Sequence, residues 1–213
     1  QWNTWFDRYA FPDESRFNDP AYAELTYTCF AKSLLATPTT RLCAYATTSR
    51  TATETLMKAL AKFGFAGYVG KVNMDRNCAA GLLETTEETI AQTRLWLEET
   101  KDGIGAIYPI LTPRYFPSCT ESCLEQLGKL AEEYHVPVQS HLSEGLDEID
   151  WVHELAPDLD YYAQAYDRAG LLGPHTQAVM AHCVFSSPEE VKTLKRRNVL
   201  VAHCPQSNMN SCG

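Results

Sequence analysis

Short runs rich in β-branched and aromatic residues alternate along this chain with segments of helical periodicity, and that alternation constrains the fold more than any other feature. The apolar runs are residues 41–47, 65–72, 105–111, 136–141, 178–185 and 199–203. Between them, residues 51–63, 86–100, 120–134, 147–155 and 187–197 repeat their apolar positions at helical spacing, and an earlier helix is expected over 21–35. Strands apolar along nearly their whole length are buried on both faces. Interleaved with amphipathic helices, they predict a parallel sheet in an α/β fold. Two helix starts carry the right chemistry. Thr85 precedes Thr86-Glu87-Glu88, a hydroxyl cap followed by carboxylates, and Ser187 precedes Pro188-Glu189-Glu190, with proline where a missing N–H costs nothing. Lys195, Arg196 and Arg197 close that second helix and complement its dipole. Residues 1–20, aromatic and proline-rich without clear periodicity, read as a loop packed on the mouth of the sheet structure.

Repeated βα units either close into a barrel or open into a doubly wound sheet. No Gly-x-Gly-x-x-Gly follows any of the strands, so the dinucleotide-binding form of the open sheet has no support. Polar residues end several strands (Arg114, His141, His182 and His203), and a ring of parallel strands gathers such positions at one mouth. The expectation is therefore a (β/α)8 TIM-like barrel, incomplete here because about six of eight strands are legible. With 213 residues, 45% of them hydrophobic, the chain can bury a sizeable core and is expected to form a single domain over 1–213.

Composition removes some partners. A net charge of -9 argues against nucleic acid or an anionic membrane surface, each of which needs a basic face. No apolar stretch reaches the roughly 18 residues that cross a bilayer. The eight cysteines form no C-x-x-C pair and resemble neither a zinc ribbon nor a dense disulfide framework, so a reducing, cytoplasmic setting is expected. Acidic residues between 144 and 160 read as a solvated helix face and loop.

The chemistry concentrates in Pro137-Val-Gln-Ser-His141-Leu-Ser-Glu144, an apolar run that stops at a histidine with a carboxylic acid three residues on. A second run ends the same way at Met180-Ala-His182. Imidazoles displayed from successive strand tips, with a carboxylate nearby, suit a metal and a proton shuttle. Residues three apart in a strand face opposite sides, so the chain must bend after His141, and Gly145 is the expected place for it. His203 reads as a ligand, a hydrogen-bond partner of one, or a brace for the loop 203–208, with the last two preferred. His135, His153 and His175 read as surface or local hydrogen-bonding residues. Cys183 and Cys204, each directly after a strand-end histidine, are expected to turn towards the outer helices. Arg114 and Tyr115 follow the 107–111 run. Their guanidinium and ring suit a flat heterocycle, the alternative being a salt-bridged loop arginine beside a packing tyrosine.

These motifs resemble the amidohydrolase superfamily, and within it the guanine-deaminating branch. The resemblance runs through Trp5, Tyr9-Ala-Phe-Pro-Asp-Glu-Ser-Arg-Phe17, Tyr68-Val-Gly-Lys-Val-Asn-Met-Asp75, Glu84-Thr-Thr-Glu-Glu88, Thr112-Pro-Arg-Tyr115, Gln139-Ser-His-Leu-Ser-Glu144, Val179-Met-Ala-His182 and Ala202-His-Cys-Pro-Gln-Ser-Asn208. It implies a zinc-dependent barrel hydrolase, homodimeric when full length, that converts guanine to xanthine and ammonia. On that resemblance His141 and His182 are zinc ligands and Glu144 is the proton shuttle. Arg114 and Tyr115 then contact the purine, and Trp5 helps wall its pocket.

The family's His-x-His pair on the first barrel strand and its metal-binding aspartate on the last are not found in these 213 residues. The chain is accordingly expected to be the central portion of a longer protein. Two other readings stay open: an aminohydrolase of the same fold acting on another amino-heterocycle, and an inactive barrel fragment serving in assembly or binding.

Overall fold

The structure is a computed structural model that describes residues 5–210. It separates into two compact units, Gln1–Thr112 and Pro113–Gly213.

In the first unit, helix α1 (Pro20–Leu34) starts at Asp19, whose carboxylate accepts from the Ala21 N–H at 2.9 Å. Strand β1 (Arg41–Tyr45), helix α2 (Arg50–Lys62), strand β2 (Ala66–Gly70), helix α3 (Thr86–Thr100) and strand β3 (Ala106–Pro109) follow. The strands pair in parallel in the order β1-β2-β3, with Arg41 beside Ala66 and Ala66 beside Ala106. Thr85 forms the expected capping box: its hydroxyl accepts from the Glu88 N–H at 3.1 Å, and the Glu88 carboxylate accepts from the Thr85 N–H at 2.8 Å. One face of this sheet is covered, with Val69 and Ile107 fully buried, while Tyr68 and Tyr108 stand exposed side by side on the other.

The expected loop over 1–20 is helical where it is described. Phe6–Ala10 forms π-helical turns, Phe11–Ser15 α-helix and Arg16–Asn18 a 3-10 turn. Pro12 sits in the first turn, where its missing N–H leaves no gap, and the Ser15 hydroxyl closes on the Phe11 carbonyl at 2.8 Å. Burial rather than amphipathic spacing holds these turns, since Phe11 packs into a small core with Val72, Met74 and Leu82. Short helices of this kind leave no periodic signature. Residues 1–4 of that segment, and Cys212, lie outside the described residues.

The second unit contains helix α4 (Glu121–Tyr134), strand β4 (Val138–Leu142), helix α5 (Leu146–Leu155), helix α6 (Ala163–Arg168), strand β5 (Ala178–His182), helix α7 (Pro188–Arg196), strand β6 (Leu200–Ala202) and helix α8 (Pro205–Asn210). Its strands are also parallel, in the order β4-β5-β6, with His141 beside Ala181 and Leu142 beside His182. Ser187 caps α7 as expected, accepting from the Glu190 N–H at 3.2 Å. Val138, Ser140, Leu142 and Met180 are fully buried. Helices α6 and α8 have six residues each and escaped the sequence reading because such a length offers less than two turns of periodicity.

The alternating α/β order and the parallel pairing follow the pattern of the sequence. The described pairings make two three-stranded sheets and one two-stranded sheet rather than one continuous ladder.

Candidate metal and proton-transfer centre

Strands β4 and β5 bring His141, Glu144 and His182 together. One ligand atom from each lies within 4.8 Å of the others, and among the described residues this is the group of histidine, cysteine and acidic side chains able to hold a metal ion. The two imidazole rings stack, with centroids 5.4 Å apart and planes 20° from parallel. Nε2 of His182 lies 3.3 Å from Oε2 of Glu144.

Both rings are oriented through Nδ1. The Arg114 carbonyl takes up Nδ1 of His141 at 2.7 Å and also accepts the His141 backbone N–H at 3.2 Å. Oδ1 of Asn208, from α8, lies 2.7 Å from Nδ1 of His182. With acceptors at both Nδ1 positions, each ring carries its proton there and keeps the Nε2 lone pair free. Burial holds the His141 pKa down to about 3, against the opposing bond to the Arg114 carbonyl; the nearby Arg114 and His182 charges add to the depression. The ring is thus neutral, as a metal ligand must be. Burial pushes the Glu144 carboxyl the other way, up to about 7, the range in which a carboxyl group both accepts and releases protons near neutrality.

The bend that presents Glu144 is not at Gly145, which has ordinary extended backbone with φ -136°. It falls at Ser143, whose φ of 49° is left-handed. His182 and Cys183 are left-handed as well, with φ 73° and 53°. Non-glycine residues in this region are strained and persist where their surroundings hold them. Here the two strand ends hold each other, the Cys183 N–H bonding the Leu142 carbonyl at 2.8 Å and the Phe185 N–H the Ser143 carbonyl at 3.0 Å. Because His182 and Cys183 have left the extended conformation, strand alternation does not set the thiol's direction. The Cys183 thiol is pushed up to about 12 by burial, with the Glu190 charge adding, and lies outside the metal-binding group.

The remaining sequence candidates fall differently. Arg114 reaches the centre through its main chain, as the acceptor for His141. Tyr115 packs edge-on against Trp151 at 6.2 Å. Trp5 belongs to the first unit, is 55% exposed and meets Phe6 edge-on at 5.3 Å. His203 is exposed and lies outside the metal-binding group. The residue that supports His182 is instead Asn208, five positions further on, and a buried amide after a strand-end histidine was the signal available for it.

The acidic stretch is only partly a solvated face. Asp147, Asp150 and Glu154 are exposed, but both oxygens of Glu148 are engaged. One accepts the Glu144 N–H at 2.9 Å and the other the Tyr162 hydroxyl at 3.0 Å.

The residues present suit a zinc ion on chemical grounds. Two imidazoles, each anchored through Nδ1, and a carboxyl group converge on one small volume, and nitrogen and oxygen donors are the ligands zinc takes in hydrolytic sites.

The amidohydrolase family profile matches residues 2–212. The chain is 40% identical over 205 residues to the guanine deaminase of Dictyostelium discoideum, covering 96% of this chain and 45% of the relative. It is 37% identical over 208 residues to that of Homo sapiens, at 97% and 45% coverage. The crystal structure of guanine deaminase from C. acetobutylicum with bound guanine in the active site superposes with a TM-score of 0.94 at 43% identity, covering 97% of this chain and 49% of that one. The chain thus spans about half the length of the relatives it matches. A profile that matches from one end of the described fold to the other, over a site of strand-end histidines and a carboxyl group, places the chain in the amidohydrolase family.

Proposed function

We propose that the protein carrying this chain is a zinc-dependent hydrolase that converts guanine and water to xanthine and ammonia, and that these residues form part of a (β/α)8 barrel in a cytoplasmic homodimer. The observation that carries the reading is the convergence of one ring nitrogen each of His141 and His182 with a Glu144 carboxyl oxygen, all within 4.8 Å of one another. Similarity to guanine deaminases along nearly the whole of this chain supports guanine as the substrate.

His141 and His182 hold the zinc, which when bound supplies Lewis acidity that lowers the pKa of water towards about 7. Glu144 takes a proton from the water that attacks C2 of the purine and passes it to the adjacent ring nitrogen. A second transfer through the same carboxyl lets the 2-amino group leave as ammonia. A carboxyl held near pKa 7 does both jobs, because it is neither a permanent acid nor a permanent base at that pH. Asn208 and the Arg114 carbonyl fix the tautomers of the two ligands. The Arg114 guanidinium and the ring of Tyr115 are assigned to the purine, the first through paired hydrogen bonds and the second as apolar cover.

The test is a direct assay of xanthine and ammonia release from guanine by the full-length protein, with its metal content measured and adenine, cytosine and a triazine as comparison substrates. Zinc-dependent turnover of guanine above the others is expected. Metal-independent turnover, or preference for another heterocycle, would overturn the assignment.

A further inference from the structure

Two glutamates from different helices, Glu190 buried and Glu148 half-buried, hold the turn that presents Glu144, and both are anchored at the same place. Glu148, in the first turn of α5, accepts the Glu144 N–H at 2.9 Å with one oxygen and the Tyr162 hydroxyl at 3.0 Å with the other. Glu190, in the first turn of α7, accepts the Ser143 hydroxyl at 2.7 Å with one oxygen and the Ala163 N–H at 2.7 Å with the other. Residues 143 and 144 are thereby tied, each through one carboxylate, to residues 163 and 162 at the start of α6. The start of α6 is itself fixed. The Tyr162 hydroxyl accepts the Phe116 N–H at 3.0 Å, and the Tyr161 hydroxyl lies 2.8 Å from Oγ1 of Thr193 on α7. Ser143, Glu190, Tyr162 and Ala163 are all buried.

We propose that Glu148 and Glu190 are positioning residues, a two-carboxylate clamp that holds the left-handed turn at Ser143 and so keeps the Glu144 carboxyl within reach of His182 and the reacting atoms. A left-handed serine is strained and relaxes unless its neighbours fix it, and Ser143 is fixed by its own hydroxyl and by the N–H of the residue that follows it. Neither glutamate belongs to the group able to hold a metal, so neither is needed as a ligand. A displacement of about 1 Å in a group that moves protons costs on the order of 10²-fold in rate. The inference rests on the assignment of Glu144 as the proton-transferring group.

A positioning role needs hydrogen bonds, not charge. In Glu148→Gln the amide oxygen still accepts the Glu144 N–H and the amide nitrogen donates to the Tyr162 hydroxyl. In Glu190→Gln the oxygen accepts the Ala163 N–H and the nitrogen donates to Ser143. Leucine at either position removes both bonds at similar volume. In the full-length, metal-loaded protein, Glu148→Leu is expected to lower kcat for guanine at least about tenfold, with KM within about twofold and metal content unchanged. Glu148→Gln should recover most of that loss. In a Glu144→Gln background, Glu148→Leu should cost less than about twofold further, because the group it positions is already disabled. If Glu148→Leu does not fold, Tyr162→Phe, which releases one oxygen of Glu148, carries the same expectation at about threefold.

Amide hydrogen exchange supplies a readout independent of turnover. Exchange at the Glu144 N–H should quicken at least about tenfold in Glu148→Leu, or in Tyr162→Phe, while Val138 and Met180 keep their protection. Absent guanine turnover by the unaltered protein counts against the proposed function, and the exchange comparison then decides the clamp. The clamp is overturned by unchanged kcat and exchange in the leucine variant, by a glutamine variant as damaged as the leucine one, or by additive losses in the double variant.

Discussion

Nε2 of His182 lies 3.3 Å from Oε2 of Glu144, while Nδ1 of the same ring lies 2.7 Å from Oδ1 of Asn208. The imidazole is thus used at both ends, one to fix its tautomer and the other to share a small volume with a carboxyl group. Neutral acceptors, an amide oxygen at His182 and a main-chain carbonyl at His141, set both tautomers without adding charge. This is the arrangement that the proposed function uses, with the two histidines as metal ligands and Glu144 as the proton carrier.

Replacing Glu144 by glutamine keeps its size and hydrogen-bonding reach but removes the exchangeable proton. Steady-state kinetics on guanine should show kcat reduced about 10²–10⁴-fold, with KM and metal content little changed. A variant that kept a tenth of the parent kcat would show that another group moves the proton.

With His182 as the proposed metal ligand, Asn208 acts on the metal only through that ring, so its removal should be felt in affinity before rate. Asn208→Leu is expected to weaken metal binding about 10–100-fold, measured by competition with a chromophoric chelator. Asn208→Asp, whose carboxylate still accepts from Nδ1, should bind at least as tightly as the parent. Equal affinity in the leucine variant would mean that something else orients the ring.

Two strands and the histidines at their ends were legible from the sequence for one reason: apolar runs ending at His141 and His182 carry their own punctuation, and the observed strands end there or one residue beyond. The bend after His141 was legible as a necessity but not as a position. Gly145 was the expected site because glycine enters the left-handed region without strain, yet Ser143 takes that conformation, held by Glu190 from 47 residues away. Partners this distant leave no mark on local sequence. Glu148 shows the same limit, since its acidic neighbours Asp147, Asp150 and Glu154 are solvated, and only Tyr162 and the Glu144 N–H set it apart. The opening segment failed for the opposite reason: its short helical turns are fixed by the burial of Phe11 and present no period to read.

Glu148 also gives a pH signature of stability. Burial raises its carboxyl to about 7 from the ordinary 4.5, against the opposing bonds from the Glu144 N–H and Tyr162. Between those values the folded state binds a proton that the unfolded chain has released. Its contribution is therefore complete at low pH and is lost as pH rises through 7. Glu148→Gln removes that titration. Relative to the parent, the variant should gain about 2–3 kcal/mol in unfolding free energy between pH 5 and pH 8, followed by urea denaturation with the metal state held constant. An equal difference at both pH values would show that this carboxyl does not titrate in that window.

The first unit offers a test of a different balance. Lys71 is fully buried, and its Nζ lies 2.7 Å from Oε2 of Glu84, with the Val72 carbonyl and the Thr89 hydroxyl each at 3.4 Å. A buried ion pair is weakly stabilising against an apolar pair of the same shape, but breaking it from one side strands a charge. Glu84→Ala removes the carboxylate that lies 2.7 Å from the ammonium and should cost about 3 kcal/mol, the low end of the usual range because the Glu84 side chain is 18% exposed. Lys71→Met removes the charge that needs a partner, leaves Glu84 able to turn to water, and should cost about 1 kcal/mol or less. The shift in denaturation midpoint at unchanged slope measures both. The reverse order, with Lys71→Met the costlier change, would mean that the bonds from Nζ to Val72 and Thr89 outweigh the desolvation of the ammonium.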